Sequence, residues 1–116
     1  MATTTTTTTD RLASLDAEQL HRIVVAHEAA KRARFSAEYL RARVTIAGAP
    51  EFAQASAEFT EEIMELMDRV GYTGGRNTAL ATIRWALLAD RFRDSLSEEE
   101  HRALTASFDA AAVPAA

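Results

Sequence analysis

The chain predicts an all-α protein, a small antiparallel helical bundle of about four helices with a long first helix. Three observations lead there. Apolar residues recur at three-and-four spacing in four separate stretches, glycine and proline fall between those stretches and not inside them, and no alternating run is long enough to make a strand. The expected organisation is a disordered poly-threonine tail over residues 1–11, a helical domain over 12–112, and a short tail over 113–116.

The first helix is expected to start at Ala17. Asp16 followed three residues later by Gln19 has the spacing of an N-cap and its reciprocal partner. From Ala17 to Ala47 there is no glycine or proline, and alanine, arginine and glutamate dominate, so the helix is expected to run ~30 residues, a rod of roughly 45 Å. Ile23, Ala26, Ala30, Ala33, Ala37, Leu40 and Val44 make a heptad seam whose small middle residues admit a close neighbour. On the nearly opposite face, Val24, Phe35, Tyr39 and Ala42 form a second apolar strip. A kink near Arg34-Phe35-Ser36 would split the rod.

Gly48-Ala49-Pro50 closes this helix and opens the next, since glycine suits a helix end and proline a first turn. The second helix is expected from Pro50 to Val70, with Phe52, Ser56, Phe59, Ile63, Leu66 and Val70 as its seam and Met64 and Met67 widening it. Gly71-Tyr72-Thr73-Gly74-Gly75 holds three of the chain's four glycines and forms the next turn. The third helix, Thr78 to Arg93, carries Leu80, Ile83 and Leu87 on one stripe and Ala81, Trp85, Leu88 and Phe92 on another, so it must be covered on two sides. It is the centre of the expected bundle. Ser97 with Glu100 has the capping-box pattern and starts a short fourth helix, whose apolar side is Leu104, Phe108 and Ala111.

Composition narrows the function classes. The formal charge is −4, which argues against general affinity for nucleic acid or an anionic membrane, both of which need clustered positive charge. There is no cysteine, so no disulfide, iron–sulfur cluster or thiolate zinc site can be built within the chain. No apolar run approaches the ~18 residues that span a bilayer, and the expectation is a cytoplasmic protein without membrane contact. Aromatics are only 7% of the residues and much of the apolar content is alanine, so the core is thin and burial against a partner would add stability.

Several patterns bear on chemistry. Glu18/His21 and Glu98/His101 have the Glu-x-x-His spacing of di-iron carboxylate bundles, but both glutamates lie in first helical turns, where a carboxylate stabilises the helix dipole. No metal site and no cofactor are expected. Glu58, Glu61, Glu62, Glu65 and Asp68 form an acidic band on the second helix, and Lys31, Arg32, Arg34, Arg41 and Arg43 are basic on the first. The two helices are therefore expected to attract each other or each other's copies. His27 beside Glu28 lacks the context of a phosphoacceptor and is expected to be structural.

Gly74, Gly75, Arg76, Asn77 and Thr78 open a helix with free backbone N–H groups and an arginine, a candidate anion site next to Tyr72. The lysine and spacing of a P-loop are absent, and no strand precedes the turn as a dinucleotide fingerprint requires. A tight helix–helix turn explains the same glycines. A helix-turn-helix over Met64 to Leu88 would put Asn77 where an apolar residue is needed, and nucleic acid is not the expected partner.

The expected function is that of a small non-catalytic helical subunit or assembly protein, acting through helix–helix contacts with itself or another protein chain. Three helices carry apolar residues on more than one side, and ~100 residues cannot hide two faces of each. Val24, Phe35 and Tyr39 are the candidate interface. Small chains that accompany larger enzymes, among them the small partner of flavin-dependent cyclic dipeptide oxidases, are similar in size and makeup; no motif carries the likeness further. The alternatives are a stand-alone regulatory or anion-binding module using the Gly71–Thr78 turn, and a metal-binding bundle.

Overall fold

The computed structural model describes residues 12–112, with side chains to residue 110; the tails expected at either end lie outside the described residues. The described chain is helical, without strands: α1 (Ala17–Arg32), α2 (Ala37–Ala47), α3 (Phe52–Val70), α4 (Arg76–Arg91), a 3₁₀ turn (Arg93–Ser95) and α5 (Glu98–Ala112). Among the described residues five helices stand where about four were expected, because the long first helix is two.

The break between α1 and α2 has local causes. Arg34 takes a left-handed backbone conformation with φ 69°, which no α-helix continues through. Two residues later the Ser36 hydroxyl accepts from the Tyr39 backbone N–H at 3.1 Å, making Ser36 the N-cap of a new helix. The break changes which face of the following residues points inward. Tyr39, Ala42 and Ile46 are buried, while Leu40 and Val44, which an unbroken heptad seam would place inside, are exposed.

The other ends follow their capping chemistry. Asp16 accepts from the Gln19 N–H at 2.9 Å while the Gln19 side chain accepts from the Asp16 N–H at 2.9 Å, and Ser97 with Glu100 repeats the arrangement at the start of α5. Gly71 ends α3 in the left-handed conformation with φ 70°. Pro50 falls just before α3, which starts at Phe52.

α4 is the centre. It packs against α1, α2, α3 and α5, and its buried side chains include Ile83, Leu87 and Leu88 with the small Ala79, Ala86 and Ala89 between them. Small residues let neighbouring helix backbones approach on several sides at once. α5 is the second organising helix: it packs against α1, α2 and α4, with Leu104 and Phe108 inside. α3 covers α4 with Phe59, Ile63, Leu66 and Met67. Leu12 and Leu15, ahead of α1, are also buried and belong to the same core.

Two threonines in this core satisfy their hydroxyls within their own helices, Thr82 on the Thr78 carbonyl at 2.8 Å and Thr105 on the His101 carbonyl at 3.2 Å. Among the described residues no buried side-chain polar atom is without a partner.

Candidate interaction surface

The strip of Val24, Phe35 and Tyr39 does not form an outer surface. Tyr39 is 8% exposed, and Val24 and Phe35 are half-buried against the core. On α2 the face assigned to the outside is the inner one, because the break at Arg34 turns this helix relative to a continuous one, while Val24, on α1 ahead of the break, packs partly buried against the core. The residues left outside are Leu40 and Val44, at 51% and 74% exposure.

Leu40 and Val44 stand four residues apart and so one above the other on α2, forming an apolar ridge. A shallow groove lies on each side. One, of about 400 Å³, is lined by Leu40, Arg43, Val44, Ala47 and Trp85; the other, of about 330 Å³, by Leu40, Arg41, Val44, Thr45 and Glu100. Ala37 and Ala47 are exposed above and below the ridge, so Ala37, Leu40, Val44 and Ala47 continue the heptad spacing along a seam that no described residue of the chain covers. Covering what remains exposed of the leucine and the valine contributes about 1–2 kcal/mol each.

The ridge has two charged flanks. Arg41 reaches Glu38 and Glu100, both at 3.5 Å. Glu100 is held below the usual carboxylate range, first by the Ser97 backbone N–H, with the Ser97 hydroxyl and Arg41 adding to it against an opposing push from burial. On the other flank Arg43 lies over the rings of Trp85 and Tyr39.

Arg43 is one member of a continuous stack. Phe35 and Tyr39 are parallel with centres 4.0 Å apart, His27 tilts against Phe35 at 5.3 Å, and Phe52 lies 6.0 Å from Trp85. Burial raises the Tyr39 hydroxyl pKa above its ordinary value, opposed by the Arg43 charge and a hydrogen bond to Arg43. The stack spans the α1–α2 break and fixes α2 against α4.

The Gly74–Thr78 turn is organised from within. Arg76 donates to Asp68 at 2.9 Å and to the Tyr72 carbonyl at 3.0 Å, so its guanidinium ties α4 back to the end of α3. Tyr72, expected to face a ligand, is buried. Gly75 has φ 71° and sits against Val24, where an added Cβ would meet that side chain at 3.4 Å. These features serve the turn itself. Asn77 is exposed and Thr78, half-buried, accepts through its carbonyl from Thr82.

The Glu-x-x-His pairs go elsewhere too. Glu18 bonds Arg22 at 2.9 Å, and His101 shares a 2.7 Å hydrogen bond with Asp90 that joins α5 to α4. Among the described residues no group of three or more histidine, aspartate or glutamate side chains is placed to hold a metal ion. The His101–Asp90 pair escaped sequence reasoning, since its members lie eleven positions apart across a loop and match no short motif. No described helix is long and apolar enough to cross a membrane.

Compared with protein families, curated proteins and solved structures, the chain matches none of them.

Proposed function

We propose that the protein is a non-catalytic helical subunit or assembly protein, and that it acts by laying the Leu40/Val44 face of α2 against a helix of another chain. The observation that supports this most is the ridge. A leucine and a valine stand side by side in solvent on a helix whose other face is well packed, beside the stack of Tyr39, Arg43 and Trp85. Apolar seams with heptad spacing are what helix-in-groove recognition uses. The charged flanks supply the polar rim that such contacts carry.

A catalytic reading has less behind it. The histidine with a carboxylate partner, His101, is largely covered and spends that contact on joining two helices. Arg76 is likewise engaged inside its own turn.

The test compares the native size of the tagged wild-type chain with that of Leu40→Glu/Val44→Glu in gentle extracts of the cells that make it. The wild type should migrate well above its 12.7 kDa mass and the variant near it, with equal helix content by circular dichroism. A wild type that migrates as a 12.7 kDa monomer overturns the reading.

A further inference from the structure

The charge pattern predicts attraction between the basic first stretch and the acidic second one, but among the described residues no ion pair joins them. Arg41 pairs with Glu38 on its own helix and with Glu100 on α5. Among the described residues no base pairs with Glu61, Glu62 or Glu65 of α3, all of which are exposed. In their midst stands Met64, 41% exposed, with Ala57 exposed two turns before it. The chain thus carries two faces of matched character that do not meet in one copy. One is an apolar ridge straddled by Arg41, which shares its charge with Glu38 and Glu100 at 3.5 Å, and by Arg43. The other is a methionine ringed by carboxylates.

We propose that these faces meet between two copies of the chain, the Leu40/Val44 ridge of α2 seating on the Ala57–Met64 face of α3 in the second copy. The inference rests on the proposed function and names its partner. Leucine and valine ridges pack well against methionine, whose unbranched side chain adapts to an irregular surface. Arg41 and Arg43 then reach Glu61 and Glu65, charges of opposite sign brought to the rim of an apolar contact. Each copy carries both faces, and a two-fold pairing that makes the contact twice would double the buried area of a single crossing. Stable specific dimers bury roughly 1,200–2,000 Å², more than one short helix crossing supplies.

The chain has no cysteine, so engineered thiols report contacts without background. Purified Val44→Cys and Met64→Cys variants of the full chain are oxidised separately and as an equimolar mixture. The mixture should give covalent dimer at least tenfold faster than either variant alone, and 0.5 M salt should slow it. In a second arm, Arg41→Glu with Arg43→Glu should lower the association constant at least tenfold, and Glu61→Arg with Glu65→Arg in the same chain should restore it. Rapid dimer from Val44→Cys alone overturns the proposal, as it would mean that ridge meets ridge. A mixture no faster than the separate variants overturns it as well. If the Leu40→Glu/Val44→Glu chain still loses its high native size, only the partner's identity falls; if that size is unchanged, the functional reading falls too.

Discussion

The guanidinium of Arg43 lies 4.9 Å from the centre of the Trp85 ring and 5.7 Å from that of Tyr39, on the inner flank of the exposed Leu40/Val44 ridge. One cation thus joins α2 to α4 through two aromatic faces. Arg43→Ala should cost about 1 kcal/mol, the range of a partly desolvated cation–π contact. Trp85 is half-buried, so Trp85→Ala should cost about 2–3 kcal/mol, less than the ~3–5 of a fully buried aromatic. Urea titrations of both variants check the order. Trp85 is the only tryptophan, and its emission should also change in Arg43→Ala.

The α1–α2 break invites a pair of opposite substitutions. Arg34 holds φ 69°, a conformation that strains a residue with a Cβ by ~1–2 kcal/mol, so Arg34→Gly should stabilise the protein by about 0.5–1 kcal/mol after the added freedom of the unfolded chain is counted. Ser36→Ala removes an N-cap and should destabilise by ~1 kcal/mol. Thermal melts of the two variants should move in opposite directions.

The glycine turn distinguishes its two adjacent glycines. Gly75 is left-handed and touches Val24, so Gly75→Ala should cost ~1–2 kcal/mol. Gly74 has open space where a Cβ would stand and no positive φ, so Gly74→Ala should be close to neutral. Chemical denaturation reads the difference. Equal losses at both positions would mean that the turn is organised differently.

His27 makes stability depend on pH. Burial against Phe35 lowers its pKa below 6.5, with Lys31 and Arg43 acting in the same direction and Glu28 against them. The unfolded chain therefore binds a proton at a higher pH than the folded one. The stabilising contribution is complete above pH 6.5 and is lost as pH falls through the lower folded value, so stability should rise with pH in that window. His27→Gln should flatten this part of the profile, measured by urea unfolding at several pH values.

Much of the fold was legible because it rests on local rules. The Asp16/Gln19 and Ser97/Glu100 boxes, the Phe59-Ile63-Leu66 seam and the two-sided apolar pattern of α4 each follow from spacing alone. The break between Arg32 and Ala37 was visible only as a weak point, since neither glycine nor proline marks it and the surrounding alanines favour helix. That one uncertainty reversed the site. A seam read through an unbroken helix carries Leu40 and Val44 to the side of Ile23, whereas a left-handed residue at 34 turns α2 so that Tyr39 and Ile46 go in. The seam expected to face inward from Ile23 to Val44 holds at Ile23 and fails on α2, where Leu40 and Val44 face solvent.

Sedimentation equilibrium of the purified chain, wild type against Leu40→Glu/Val44→Glu, tests the central claim most directly, that the outward face of α2 is buried against another copy. The wild type should show a mass that rises with concentration from 12.7 kDa towards twice that value, while the variant stays at 12.7 kDa with the same helix content. Equal masses for the two proteins at every concentration would contradict it.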